Sequence, residues 1–314
     1  MGTISSTETS FRDKWENNQD LAFSETLREG SDIQTWILNR NGFKNCEDLK
    51  NFLLPKSRIL DAGCGNGRVT ALIGKLCADK TKVVGIDLVA AKIAEKNNAE
   101  CGPAAQTEFY ARDLMQNLDD LGTFDFIYCQ EVLHHTADPI RSFQNLCRLL
   151  TPDGEIAIYV YKKKAPSREY VDDFVRQKIS GLSYEGAMKV CEQITELGRA
   201  LSNQNVKVDV PQVDILEIAA GKYDLQRFFY HFFAKCFWND SLSFKENAAI
   251  NYDWYHPQLC TRHTIEEIRE WFVSENLKIV HEHVDFYGIT VRGAQKESLV
   301  PILKQLSVNP TNGE

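Results

Sequence analysis

No apolar run in the 314 residues approaches the length of a membrane span, and the first residues lack the apolar core of a signal peptide. A membrane partner is therefore not expected, and the expected compartment is the cytoplasm. Positive charge is also in short supply: 36 Lys and Arg stand against 44 Asp and Glu, a net charge of −8. Such a chain lacks the clustered basic surface that grips a phosphate backbone, so nucleic acid is not an expected partner. None of the nine cysteines forms a C-x-x-C pair and their number is odd. That excludes a zinc ribbon or a disulfide framework in favour of reduced thiols acting as small core hydrophobes. Internal repeats and low-complexity linkers are absent too. The opening Met1-Gly2-Thr3-Ile4-Ser5-Ser6 has Gly2 and Ser6 at the spacing of a myristoylation signal, but it is read here as a polar start.

What is present, from Pro55 to Tyr161, is an alternation of short apolar strands and amphipathic helices. Arg58–Asp61, Lys82–Asp87, Thr107–Tyr110, Phe124–Gln130 and Glu155–Tyr161 read as strands, with Pro152-Asp153-Gly154 a turn before the last. Between them, Val69, Leu72, Ile73 and Leu76 recur at helical spacing, as do Ile140, Phe143 and Leu146 after an opening at Asp138-Pro139. Strands separated by helices imply right-handed crossovers and a parallel sheet covered on both faces.

The alternation breaks after Tyr161, and no strand is expected for about a hundred residues. Ser183–Leu201 predicts a helix whose buried stripe is Ala187, Val190, Ile194, Leu197 and Leu201, and Leu225–Trp238 predicts another. The alternation resumes at Thr264-Ile265-Glu266-Glu267, a capping box, and closes with a hairpin of Leu277–Val284 and Ile289–Val291. The expected organisation is a helical N-terminal cap (1–54) with Trp15 and Trp36 buried, a core (55–161 and 262–296), a helical aromatic-rich lid (162–261) and a polar tail (297–314).

The strand ending at Asp61 runs into Gly63-Cys64-Gly65-Asn66-Gly67. Glycines there remove the side chains that would keep backbone away from a ligand. The dinucleotide pattern is G-x-G-x-x-G, whereas here the third glycine falls one position early and Asp61 precedes the first by two. This D-x-G-x-G-x-G form, in the setting ILDAGCGNG, resembles the signature of class I S-adenosylmethionine (SAM)-dependent methyltransferases. The resemblance implies an α/β, Rossmann-like, doubly wound, mostly parallel seven-strand sheet with a large helical insertion after strand five. It also implies SAM as cofactor and S-adenosylhomocysteine as product. On the same grounds Asp61, Gly63, Cys64, Gly65 and Asn66 would meet the methionine part. Asp87 and Leu88, after the second strand, would meet the ribose, and Asp113 and Leu114 the adenine. Gln130 would line the cleft.

After the fourth strand come Glu131-Val132-Leu133-His134-His135. Histidine titrates near neutrality, so His134 and His135 are candidate general bases. Glu131-x-x-His134-His135 is similar to the E-x-x-E-H metal motif of some quinone-pathway O-methyltransferases, but His134 replaces the middle Glu and no metal is expected. Glu131, Tyr161, Tyr255, His256 and Arg262 are the candidate acceptor contacts, and Arg168 or Lys162–Lys164 could also meet a carboxylate or phosphate. The three lysines are otherwise a solvated strand end, and Phe228, Phe229, Phe232, Phe233 and Phe237 are expected to be the insertion's own core. There is no Asp/Asn/Ser-Pro-Pro-aromatic motif, no double-glutamate hairpin and no paired catalytic cysteine. These absences disfavour base-amino, protein-arginine and tRNA-cytosine methylation and leave a small organic acceptor, with oxygen the first choice of atom. A SAM binder without turnover and a macromolecular (RNA or protein) methyltransferase are the alternatives.

Overall fold

The computed structural model describes residues 2–102 and 105–295. The chain divides into a helical unit, residues 1–21 with 161–262, and a sheet unit, residues 22–160 with 263–314. The N-terminal segment expected as one cap is thereby split. α1 (Gly2–Asn17) belongs to the helical unit, where Lys14 pairs with Asp253 at 2.6 Å and the Thr7 hydroxyl accepts from the Leu259 backbone N–H at 3.0 Å. α2 (Phe23–Leu27), α3 (Asp32–Arg40) and α4 (Cys46–Leu53) belong to the sheet unit. Trp15 and Trp36, expected to be buried, are each half-buried. The expected tail, 297–314, lies outside the described residues.

In the sheet unit β1 (Arg58–Ala62), α5 (Arg68–Leu76), β2 (Lys82–Asp87), α6 (Ala91–Cys101), β3 (Gln106–Ala111), β4 (Phe124–Gln130), α7 (Pro139–Cys147) and β5 (Leu150–Tyr161) follow in chain order. β1 pairs in parallel with β2 and β4, β2 with β3, and β4 with β5. Successive side chains of a strand point to opposite faces, and both faces are covered. Ile59, Val83, Phe126 and Ala157 pack with Ile37, Leu53, Val69 and Ile73 on one side. Leu60, Ile86, Ile127 and Ile158 pack with Phe143, Leu146 and Phe272 on the other. Ile140, expected on the buried face of α7, is instead exposed. The expected turn at Pro152–Gly154 falls inside β5: Phe124 pairs with Leu150 but Phe126 with Glu155, so residues 151–154 bulge out of register.

The helical unit continues with α8 (Pro166–Ile179), α9 (Tyr184–Asn203), β6 (Lys207–Val210), β7 (Gly221–Asp224), α10 (Leu225–Phe232) and α11 (Phe244–Tyr255). The antiparallel β6–β7 hairpin was not expected. It carries Val210 and Tyr223 against Phe228, Phe232 and Phe233, so these phenylalanines do form the insertion's own core. α10 stops at Phe232 rather than running to Trp238. Beyond it, side chains replace the helical ladder: Gln226 donates to the Cys236 carbonyl, Arg227 to that of Trp238, and Asn251 accepts from the Phe237 N–H. The buried face of α9 is also not the predicted stripe. Ala187, Met188, Cys191, Thr195 and Gly198 are buried while Leu197 is exposed, because small residues admit close neighbours.

The chain then returns to the sheet unit with α12 (Ile265–Ser274), β8 (Leu277–Val284) and β9 (Gly288–Gln295). The capping box at Thr264 and Glu267 is formed, and β8 and β9 are antiparallel. The sheet order is β3-β2-β1-β4-β5-β9-β8, reversing direction between β1 and β4. That reversal opens a crevice at the carboxyl ends of β1 and β4, where open α/β sheets bind ligands. Among the described residues no helix is long and apolar enough to cross a membrane.

Candidate functional site

The loop from β1 to α5 lies at this crevice. Gly63, Gly65 and Gly67 have φ of 80°, 56° and 82°, left-handed backbone that side chains rarely adopt. A Cβ on Gly63 would fall 2.1 Å from Val132 Cγ2, so the chain after β4 closes directly on the loop. The backbone N–H groups of Gly63 and Cys64 both donate to the Ile86 carbonyl, at 2.7 and 3.0 Å. Cys64 and Asn66 are buried, and burial holds the Cys64 thiol well above its ordinary range.

Three carboxylates stand at the carboxyl ends of β1, β2 and β3. Asp61 is 3% exposed and accepts the Thr70 hydroxyl at 2.5 Å. Burial pushes its carboxyl up to about 7, against the opposing pull of Thr70 and Arg68. Asp87 fastens the loop from the end of β2: Oδ2 accepts from Gly65 N–H at 3.0 Å, and Oδ1 from Val89 and Ala90 N–H at 2.9 Å each. Its role as a structural clamp between the glycine loop and α6 was not apparent from the sequence. Asp113 is half-buried and accepts from the Met115 N–H at 2.9 Å. Of the two residues paired with them, Leu88 is exposed, whereas Leu114 belongs to the apolar core.

At the end of β4 the Gln130 amide exchanges hydrogen bonds with that of Asn41. Glu131 has φ +67° and places its carboxylate 3.4 Å from Arg68 and 3.8 Å from Arg40. Arg40 is 2% exposed, its guanidinium 3.6 Å from the Trp36 ring centroid and 4.6 Å from that of Tyr159. Sequence reading missed Arg40, Asn41, Arg68 and Thr70. Only Arg68, immediately after the last glycine, had a positional signal. His134 and His135 form a turn of 3₁₀ helix with ring centroids 4.3 Å apart; His134 is fully enclosed and His135 is 8% exposed. No group of three or more His, Cys, Asp or Glu side chains that could hold a metal ion occurs among the described residues.

A family model described as a methyltransferase domain matches residues 53–207. Over that span the chain is similar to a methyltransferase domain. An uncharacterized protein of Synechococcus sp. is 36% identical to this chain over 110 residues, 34% of this chain and 26% of that protein. A ubiquinone biosynthesis O-methyltransferase of Xanthomonas campestris pv. campestris is 32% identical over 110 residues, 33% of this chain and 42% of that protein. The chain thus spans well under half the length of these curated relatives. In fold it is similar to PKMT2 from Rickettsia typhi, with a TM-score of 0.50 at 13% identity over 76% of this chain and 49% of that one.

The residues present fit SAM, the cofactor that the resemblance of the glycine loop implies. Asp61 is a buried carboxyl destabilised as an anion, which the ammonium of the methionine moiety would match. The glycine loop offers backbone with no Cβ in the way.

The remaining sequence candidates lie in the helical unit, and their polar atoms are engaged inside it. The Tyr255 hydroxyl, fully buried, donates to Asp172 at 2.7 Å. His256 is 3% exposed, stacked on Tyr252, with Nε2 3.1 Å from the Leu182 carbonyl and Nδ1 2.9 Å from the Ser10 hydroxyl. A carbonyl can only accept, so Nε2 carries the proton. Arg262 pairs with Glu169 at 2.6 Å and Asp173 at 2.7 Å, and the Tyr161 ring packs 4.6 Å from Trp254. The expected solvated lysine run is half right: Lys163 is exposed but Lys164 is buried.

Proposed function

We propose that the chain transfers the methyl group of SAM to an oxygen of a small organic acceptor. The observation that carries the reading is the buried Asp61 carboxyl at the foot of a three-glycine loop that Asp87 clamps in place. When bound, SAM supplies a methyl group already activated by its sulfonium. The protein has then to hold and align the reactants, exclude water and take up a proton.

Gly63, Cys64, Gly65 and Asn66 cradle the methionine part, and Asp61 balances its ammonium. Asp87 and Leu88 take the ribose, Asp113 and Leu114 the adenine, and Gln130, fixed by Asn41, lines the cleft. His135 is proposed as the base for an acceptor hydroxyl. His134, fully enclosed, holds that ring in place. Glu131, held between Arg68 and Arg40, is the sheet unit's proposed acceptor contact. The aromatic insertion is proposed to select the acceptor. The choice of oxygen is supported by the Xanthomonas relative, a ubiquinone biosynthesis O-methyltransferase.

The test is transfer of labelled methyl from SAM into a metabolite extract, comparing the chain with its Asp87→Ala variant. We expect transfer by the former and at least about a tenfold loss in the latter, the size of about 1.4 kcal/mol of binding or more. SAM binding with no labelled product would point to a binder without turnover; label in RNA or protein would point to a macromolecular acceptor.

A further inference from the structure

The helical unit gathers positive charge around one indole. Trp254 is 2% exposed. Around its ring centroid stand Lys235 Nζ at 4.9 Å, the Arg168 guanidinium at 5.2 Å, Lys164 Nζ at 5.6 Å and the Arg176 guanidinium at 5.7 Å. Arg168, Asp172 and Arg176 recur every fourth residue on the buried face of α8, Lys164 stands just before that helix, and Lys235 lies in the irregular segment after α10. Lys164, Arg168, Arg176 and Lys235 are between 1% and 8% exposed.

One carboxylate, Asp172, is enclosed with them at 1% exposure, and it is already full. Its Oδ2 accepts from Arg168 Nε at 3.0 Å and Trp254 Nε1 at 2.8 Å. Its Oδ1 accepts from the Tyr255 hydroxyl at 2.7 Å and the Lys235 backbone N–H at 3.1 Å. Four donors occupy the roughly four lone-pair sites of a carboxylate. The neighbouring acids are engaged as well: Glu169 by Arg262, Asp173 by Arg176 and Arg262, and Asp253 by Lys14. Arg168 Nη1 is enclosed and makes no hydrogen bond among the described residues, and neither does Lys235 Nζ. Burial draws the Lys235 ammonium down to about 8. His231, 8% exposed, is held down to about 3 by burial and by Arg168, Arg227 and Lys164, so it adds no charge of its own near neutrality.

A buried cation with donors left unfilled is costly, and a bound anion relieves it. A planar guanidinium and a compact ammonium gathered around the same indole, each with donors to spare, suit one carboxylate or phosphate group. We propose that Arg168 and Lys235, with Lys164 beside them, bind a single oxyanion group, carboxylate or phosphate, of the molecule that the helical unit takes up. That this molecule is the methyl acceptor rests on the function proposed above; the oxyanion site itself does not.

The site is tested on the full chain by its thermal midpoint in inorganic phosphate against chloride at matched ionic strength, for the wild type and Lys235→Met. At about a 100-fold excess over Kd the wild-type midpoint should rise by several degrees. Lys235→Met should abolish that increment while raising the midpoint in chloride. Equal midpoints in the two salts, or a variant that keeps the full phosphate increment, would overturn the site. Arg168→Lys, which keeps a charge against Asp172 but loses the fork, should weaken the increment at least about tenfold in phosphate concentration; an unchanged increment counts against the site. For the assignment to the acceptor, the labelled product from the extract is passed over an anion-exchange resin. A retained product supports an anionic acceptor, and an uncharged one makes the oxyanion a separate effector and overturns the assignment. Absence of any labelled product, with the phosphate increment intact, fails the methyl-transfer reading and leaves the site standing.

Discussion

The sheet unit buries hydrocarbon in two layers: Leu60, Ile86, Ile127 and Phe143 on one side, Ile59, Val83, Val69 and Leu53 on the other. The helical unit buries Arg168, Asp172, Lys235, His231, Asn247 and Asn251 among its aromatics. An apolar interior repeats with the period of its strands and helices, and that repeat shows in the residues themselves. A polar interior is held by specific donors and acceptors, which carry no period. The units also fail in different ways, and their differences can be tested from the largest effect downward.

The sharpest break is Gly63→Ala. Its methyl group would overlap Val132 on backbone that alanine rarely adopts. We expect a loss of about 3 kcal/mol in denaturant unfolding and undetectable SAM binding by calorimetry. Retained binding would mean that the loop is not the cofactor cradle.

Gly198→Ala is the matching test in the helical unit. Within a helix this change ordinarily stabilises by about 1 kcal/mol. Here the new Cβ would lie 2.4 Å from the Cys236 carbonyl oxygen, which is backbone and cannot swing away. The expectation is therefore reversed, to a loss of about 2 kcal/mol read from chemical denaturation. SAM binding should persist.

The last comparison is in pH, where the two units should respond with opposite sign. Asp61 has its folded value raised to about 7, so the native state holds a proton that the unfolded chain releases near 4. Its contribution is present below about 4 and is lost as pH rises to about 7. Asp61→Asn should therefore gain about 1–3 kcal/mol at pH 8 in the absence of cofactor, while losing SAM affinity. His231 has its folded value lowered to about 3, so the unfolded chain binds the extra proton. Stability falls as pH drops from about 6.5 toward 3, and His231→Gln should remove about 1–2 kcal/mol of that loss at pH 5. Unfolding curves of the two variants across pH would show whether these slopes exist.

The same contrast explains what could be read from the residues alone. The strands, the capping box at Thr264 and the helix opening at Asp138 follow local rules, and the structure has them within a few residues. The glycine turn and its acidic neighbours were legible because each follows a strand. Asp87's grip on the Gly65 N–H was not, since it joins positions 22 residues apart. Nor were Arg40 and Asn41, whose partners in β4 and β5 lie more than eighty residues on. In the insertion, the α9 stripe was misread because small residues, not large ones, mark its packed face. Tyr255, His256 and Arg262 were selected as ligand contacts because they are polar aromatics and cations, types that a polar interior uses equally well.

Glu131 has an evolutionary consequence. Its backbone is in a region costing a non-glycine residue of order 1 kcal/mol, so selection for stability alone would favour glycine here. A lineage that keeps the side chain is keeping its charge between Arg68 and Arg40. The position thus separates descendants that still use this end of β4 from those that have let it lapse: glycine where the two arginines are also gone, a carboxylate where they remain.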